Sequence, residues 1–447
     1  MNISTKLLKA AAGQAGGAGL DVDEVFSTFL YTGDGSTGRD IVNNIDLSGE
    51  GGFVWTKNRD NGSYGHNVFD TARGAGKMLR FHGSFAEANE GNTITQFNNN
   101  GFRINGDNQI NINTQDYVSW TWRKTPRFFD IQTWTGTGSA RTISHNLGQV
   151  PGVIIVKRYS ATEDWNMFHR SLGNTKYLQI NGTGQAGTSG TGGGQANLWN
   201  NTDPTSTQFS IGTHDRVNTN GQSYIAYIFA HHNNDGEFGP TADQDIIKCD
   251  SYTGNGSTSG NFINLGFEPQ FVFIKNRSSS ATDWVVFDNM RGVVTDGDDT
   301  ASGDMYLFPN SSTSEGGGIP IDFNSTGFTV YGTSARTNTS SDGYIYIAIR
   351  RGPLAAPTDA TKVFGVNQQN NADTFSVGFP TDLALVAKTG GSSSNSVVGS
   401  RLTGDDKFLV TSGTDAEATS SSIFTFDLQN SFKQGFSTSA ENVSWLW

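Results

Sequence analysis

At 447 residues the chain exceeds what one hydrophobic core serves, and 56 glycines, 30 phenylalanines and only 16% charged residues make it turn-rich, aromatic-rich and ordered. A net charge of −12 with no basic cluster excludes the electrostatic footprint of a nucleic-acid binder. The lone cysteine, Cys249, excludes an intrachain disulfide framework or a multi-thiolate zinc site and fits folding in a reducing cytosol, and no apolar run is long enough for a membrane-spanning helix.

The opening "MNISTKLLKAAAGQAGGAGLDVDEVF" predicts a short helix with Ser4 or Thr5 as cap, Ile3, Leu7 and Leu8 on one side and Gly13 as the stop. Lys9 and Gln14 interrupt its apolar stretch, which argues against a cleaved leader. So short a helix is marginal alone, so residues 1–23 read as an anchoring arm tied to a sister subunit or a larger assembly.

From there the chain repeats itself. An aromatic-Thr-Gly turn (Tyr31-Thr32-Gly33, Trp134-Thr135-Gly136, Tyr252-Thr253-Gly254) is followed by a second glycine at 35, 138 and 256. An apolar strand ending in lysine comes next: "FVWTKNR", "VIIVKR", "FVFIKNR" and "LALVAK". A further strand follows, "HNVFDTARG", "WNMFHRSLG", "WVVFDNMRG" and "SVVGSRLTG", and later "GFRINGDN", "QFSIGTHD", "GFTVYGTS" and, as the fourth copy, "GFSTSAEN". Each unit closes on a strand in which Val118, Trp120 and Trp122 align with Ile225, Tyr227 and Phe229, with Ile345, Ile347 and Ile349, and with Val443, Trp445 and Trp447. Period two places that apolar set in a core.

Five or more short strands per unit argue an all-β chain of four tandem antiparallel β-sandwiches: residues 24–125, 126–240, 241–356 and a divergent 357–447. Prolines at 126, 240, 353 and 357 suggest extended joints and an elongated, semi-rigid array.

Signals of catalysis are sparse. His145 reads as a turn residue and His231-His232 as a solvated linker pair. Asp296, Asp298, Asp299 and Asp304 crowd one loop and form a calcium candidate, although Leu307 stands where an EF-hand loop has glutamate. The Gly182–Gly194 run lacks the GK[ST] of a phosphate loop and reads as a flexible loop. No G-x-S-x-G elbow or recurring carboxylate pair occurs, so no catalytic residue is assigned.

Over "YTGNGS…NLGFEPQFVFIKNRS…DWVVFDNMRG…YIYIAIRR" and its parallel "WTGTGSARTISHNLGQVPGVIIVKR…WNMFHR", the chain resembles a repeat domain of virion structural and tail-fibre-like proteins of marine tailed bacteriophages, itself similar to the concanavalin-type lectin and glucanase jelly-roll sandwich. The resemblance covers essentially the full chain and is strongest over repeats 1 to 3; in repeat 4 "VFGVNQQ" replaces the opening turn. It implies a virion protein, folded in the host cytoplasm and exposed on the particle, most simply a tail fibre that attaches to host-surface glycans through many weak contacts. It also implies a partner in the particle for the arm and, by analogy with fibres, a homotrimer. No ligand-binding residue carries over. Two alternatives stay open: a non-adhesive head or tail decoration or scaffold, and a polysaccharide depolymerase, which would need two carboxylates about 5 to 10 Å apart in a groove.

Overall fold

Each of the first three repeats opens on an aromatic residue because that ring stacks on the tyrosine that begins the closing strand. Tyr31 lies on Tyr117 at 5.1 Å between centroids, Trp134 on Tyr224 at 5.6 Å, and Tyr252 on Tyr344 at 5.0 Å. The closing tyrosine's hydroxyl accepts the backbone N–H of Ile112, Thr219 or Thr339 in turn. Glycine follows because the chain passes against that same loop: a Cβ at Gly33, Gly136 or Gly254 would sit 2.0, 2.1 or 2.1 Å from the Ile112, Thr219 or Thr339 carbonyl oxygen. The repeated motif is thus a structural lock.

A computed structural model describes residues 19–188, 198–295, 304–354, 356–369, 374–388, 395–420, 423–435 and 442–447. In repeat 1 the closing strand Asp116–Arg123 runs between the opening strand Phe26–Thr32 and Gly52–Asn58, and Asn67–Asp70, Lys77–Arg80 and Ala88–Asn89 complete a six-stranded sheet. Arg39–Val42, Gly101–Ile104 and Ile94–Asn98 form the smaller facing sheet. Repeats 2 and 4 reproduce the six-stranded order, repeat 3 has four strands of it, and every pairing within these sheets is antiparallel. The expected all-β sandwich class is what the chain adopts.

Alternation then assigns two faces to each large sheet. In repeat 1, Tyr31, Val54, Phe69, Met78 and Tyr117 pack against Phe102 and Ile104 of the smaller sheet. The opposite face, Phe53, Trp55, Leu79, Trp120 and Trp122, joins Ile155, Met167, Tyr227 and Phe229 of repeat 2 and Phe271, Phe273, Ile347 and Ile349 of repeat 3 in one shared core. The aligned closing-strand residues are therefore buried between repeats, and the expected elongated array is replaced, over repeats 1 to 3, by a closed body. The reason is the composition of that outer face: burying a large apolar side chain contributes about 1.5–3 kcal/mol, and each sheet offers several, so stringing the units apart would leave three such faces in water.

The closure is cyclic. Trp165 Nε1 of repeat 2 donates to the Arg80 carbonyl of repeat 1 at 2.8 Å, and Trp284 Nε1 of repeat 3 donates to the Gln179 carbonyl of repeat 2 at 2.8 Å. His66 occupies the matching position of repeat 1; burial holds its imidazole well below the ordinary range against the opposing pull of the Phe308 carbonyl of repeat 3, and Nε2 lacks a hydrogen bond of ordinary geometry. The backbone repeats the pattern, with Glu87 N donating to Tyr159 O at 2.9 Å, Ala186 N to Arg277 O at 3.0 Å and Glu315 N to Arg59 O at 2.8 Å. Repeat 2 meets 1, repeat 3 meets 2, and repeat 1 meets 3, so the three form a pseudo-threefold ring.

Side chains at the three seams change together. Tyr227 donates its hydroxyl to Asp70 at 2.7 Å and Trp120 its indole N–H to Asp288 at 3.1 Å. At the third seam Ile347 has nothing to donate, and the acceptor position is His169, whose Nε2 bonds the Tyr346 carbonyl at 3.2 Å. The pairs Arg73–Glu87, 3.2 Å apart with the arginine buried and the glutamate half-buried, and Arg291–Glu315, 2.9 Å apart, likewise give way in repeat 2 to Leu172 and Ala186. Charge and counter-charge are lost as a set, as the cost of an unpaired buried ion requires.

The joint between repeats 2 and 3 is packed rather than extended, whereas Pro353 and Pro357 of the joint before repeat 4 are exposed. Phe238 lies against Phe128 at 6.2 Å and His232 at 5.7 Å, and Gly239 N bonds Leu20 O at 2.9 Å. His231 and His232 are buried, not solvated: their Nδ1 atoms accept from the Cys249 and Ile246 N–H groups, and Arg170 and the Arg127 carbonyl take the opposite nitrogens. Of the anchoring arm only its end is described, and there the Asp21 carboxylate accepts Leu354 N at 3.0 and 2.9 Å, fastening the start of the ring to its finish.

Repeat 4 has its own core, including Phe375, Val386, Phe424, Phe432 and Leu446. It docks on the ring through Arg59–Asp427 at 2.9 Å, Thr295 N to Leu402 O at 2.8 Å and Leu30 N to Gln429 Oε1 at 3.3 Å. Two expectations shift here. The counterpart of "GFRI" is Ser431–Gln434, since Phe432 pairs with Phe375 as Phe102 pairs with Ile41. And Trp447 is not on the core face: Asn442, Ser444 and Leu446 point inward, while Val443, Trp445 and Trp447 look outward.

Candidate functional site

One cleft stands out among the described residues, at the end of repeat 1 where four loops meet. It measures about 500 Å³ and is lined by Thr37, Tyr64, Asn92, Gly106, Asp107, Asn108 and Gln109. Thr37 comes from the loop after the first aromatic-Thr-Gly turn, Tyr64 from the loop after "FVWTKNR", Asn92 from a turn between short strands, and residues 106–109 from the approach to the closing strand.

Buried groups hold these loops. The Asn111 amide bridges to Asp34 Oδ1 at 3.1 Å and the Ser36 carbonyl at 3.0 Å, and Asn111 Oδ1 accepts Asp34 N at 3.0 Å. Asn218 and Asn338 make the corresponding bonds to Thr137 N and Asn255 N. All three stand six residues before the closing tyrosine, a spacing in the sequence that could have singled them out. The Tyr64 loop is held by Lys57, whose ammonium donates to the Tyr64 carbonyl at 2.8 Å and the Asn58 carbonyl at 2.5 Å. Burial lowers this lysine to about 8, against the opposing pull of Glu315 and Asp60. Lys157 and Lys275 play the same part, donating to the Glu163 and Thr282 carbonyls of their own repeats and reaching Ser84 O and Thr183 O across the seams. Burial brings them to about 7 and about 8.

What lines the cleft is less committed. Asp107 Oδ1 accepts Gln109 N at 2.8 Å, while the side chains of Thr37, Tyr64, Asn92, Asn108 and Gln109 make no hydrogen bond among the described residues. A half-buried phenol beside several free amides and hydroxyls offers a ring face and both donors and acceptors, the combination suited to a polar, hydroxyl-rich ligand. Repeats 2 and 3 do not copy it. The Tyr64 position holds Glu163, paired with Arg158 at 3.1 Å, and Thr282, whose hydroxyl accepts from Lys275 at 3.0 Å. The cleft carries one carboxylate, Asp107.

The calcium candidate is only partly visible, since Asp296, Asp298 and Asp299 lie outside the described residues. Asp304 is buried, and its carboxylate accepts Val294 N at 3.0 Å and Ile321 N at 3.1 Å, a loop-fastening use. His145 serves its turn, Nδ1 accepting Leu147 N at 3.3 Å. The start of the 182–194 run is pinned to repeat 3 through Thr183 and Ala186, and the rest lies outside the described residues.

The architecture is that of an all-β protein whose principal unit is a ring of three sandwiches closed between Asp21 and Leu354. A family model described as a domain of unknown function, DUF7483, matches residues 21–353, and the chain belongs to that family. The family unit coincides with the ring and stops before repeat 4. No curated protein matches the chain.

Proposed function

We propose that the protein is a structural component of a bacteriophage particle, a tail fibre or similar appendage, that attaches to the host surface through weak polar contacts with glycans. The virion assignment follows from the sequence resemblance. The observation that carries the attachment reading is the repeat 1 cleft, with hydrogen-bonding side chains around Tyr64 that the fold itself does not use. Because repeats 2 and 3 do not copy the cleft among the described residues, useful avidity would come from several chains, where effective concentration can add a factor of about 10²–10⁴. The second reading, a non-adhesive decoration or scaffold, draws support from the large apolar faces by which these sandwiches associate. A depolymerase gains none from the cleft, whose single carboxylate leaves the usual glycosidase pair incomplete.

The test is competition for phage adsorption. Purified full-length protein should block adsorption to host cells in a dose-dependent way, and Tyr64→Ala or Asn108→Ala should weaken the block at least about tenfold, ~1.4 kcal/mol, with unchanged thermal stability. Equal potency of both variants and wild type would remove the cleft from the mechanism, and no block by any of them would favour the scaffold.

A further inference from the structure

Repeat 4 possesses the face with which the other three close their ring, and no described residue of the chain covers it. Strand pairing fixes the equivalences. Leu385 pairs with Trp445 as Trp55 pairs with Trp120, Ile155 with Tyr227 and Phe273 with Ile347. Val398 pairs with Leu409 as Val68 pairs with Leu79 and Met167 with Leu178. Val366 stands opposite Trp445, and the Phe364 ring lies tilted against Trp447 at 5.2 Å as Phe26 does against Trp122 at 4.9 Å. In the ring the counterparts are sealed: Leu79 is 0% and Leu178 1% exposed, Phe53 1%, Trp122 2%. In repeat 4, Leu409 is 47% exposed, Leu383 39%, Trp447 42% and Val366 56%.

We propose that this face is a homotrimer interface: three chains bring their fourth repeats together about a true threefold axis, in the head-to-tail manner that repeats 1 to 3 use about a pseudo-threefold axis within one chain. The occupant is a second copy because the ring is a worked case of this surface meeting its own kind. The ring is already closed with three members and has no place for a fourth, so repeat 4 has no equivalent neighbour among the described residues and a second copy of the chain supplies one. A head-to-tail contact of this geometry closes at three, unlike an isologous pair. The polar key is present as well. Trp120 donates its indole N–H to Asp288 of the neighbouring repeat, and in repeat 4 the donor position is Trp445 and the acceptor position Ser400, which in a trimer come from adjacent chains. The inference is independent of glycan binding, and it would present three repeat 1 clefts on one particle.

Sedimentation equilibrium of the full-length protein at micromolar concentration tests it. The expected mass is three times the 48.0 kDa chain. Leu409→Lys and Val366→Lys change side chains that are exposed in a single chain, so each should yield a monomer with an unaltered far-ultraviolet circular dichroism spectrum and a lowered melting temperature. If Leu409→Lys disturbs the spectrum, Val366→Lys decides. A monomeric or dimeric wild type overturns the proposal, as does a trimer that both lysine variants leave intact.

Discussion

The repeat 2 seam lacks the charges that repeats 1 and 3 bury, which makes it a natural control for what those charges do. In repeat 1 the Asp70 carboxylate is fully buried between Arg73 Nε at 2.6 Å and the Tyr227 hydroxyl at 2.7 Å, and Arg73 reaches on to Glu87 at 3.2 Å. Arg73→Leu alone leaves Asp70 buried with no cation, a cost of about 3–5 kcal/mol. Glu87→Ala alone should cost only about 1 kcal/mol, because Arg73 keeps Asp70 and Glu87 is partly exposed. The combined Asp70→His, Arg73→Leu, Glu87→Ala variant copies His169, Leu172 and Ala186 and should return to within about 1–2 kcal/mol of wild type, since that set already packs in the same ring. Urea unfolding followed by tryptophan fluorescence reads the difference. With a slope of about 3 kcal/mol per molar, Arg73→Leu should lower the midpoint by roughly 1–1.7 M, and the triple variant should recover most of it. A triple variant no more stable than Arg73→Leu would refute the reasoning that these positions vary as one set.

Titration of the buried lysines gives a second handle. Lys157 is held near 7 by burial in the folded chain against an ordinary 10.5, so between about pH 7 and 10 the unfolded chain binds more protons and stability rises with pH. Urea midpoints at pH 7, 8.5 and 10 should climb in wild type and climb less in Lys157→Met; parallel curves would mean the lysine is not buried as described. Deleting residues 442–447 removes the strand that runs between Gly365–Gln369 and Leu383–Lys388, so limited proteolysis should digest repeat 4 and spare a fragment spanning 21–353. Survival of repeat 4 in that truncation would contradict the assigned topology.

Strands and repeats were legible in the sequence because period-two alternation and turn glycines are local signals, and "FVWTKNR", "VIIVKR", "FVFIKNR" and "LALVAK" became the strands expected of them. The ring was not. Alternation says that Trp120 and Trp122 face a core, but not whose, since a sheet buried on both sides differs from a sandwich sheet only in the second set of residues. That set, Tyr117, Ser119 and Thr121, is small and polar beyond its tyrosine yet fully buried, which disguised the inner face as a solvent face. The histidine pair was misplaced for a related reason: a linker read as solvated turned out to be packed by Phe238, and composition gives no sign of which loop a distant aromatic residue will cover. The cleft has even less local signature, because its side chains come from four loops and only the groups that hold those loops, Asn111 at a fixed distance from the closing tyrosine and Lys57 at the end of its strand, belong to recurring patterns.

Repeat 4 separates the two jobs that the repeated sequence performs. It has lost what locks a sandwich internally: its aromatic-Thr-Gly turn is gone, and the closing tyrosine is replaced by Asn442, buried with no hydrogen bond to its amide among the described residues. It has kept what a single chain would be better without, an outward row of Val443, Trp445 and Trp447 beside Leu383, Leu385 and Leu409. An isolated sandwich under no other demand would shed the exposed apolar side chains first and the interior lock last, because the former favour aggregation and the latter holds the fold. The opposite order is what a unit shows when its outer face is normally covered and its interior is braced from outside. In repeats 1 to 3 that bracing comes from neighbours within the chain, and in repeat 4 the proposed trimer would supply it from other chains.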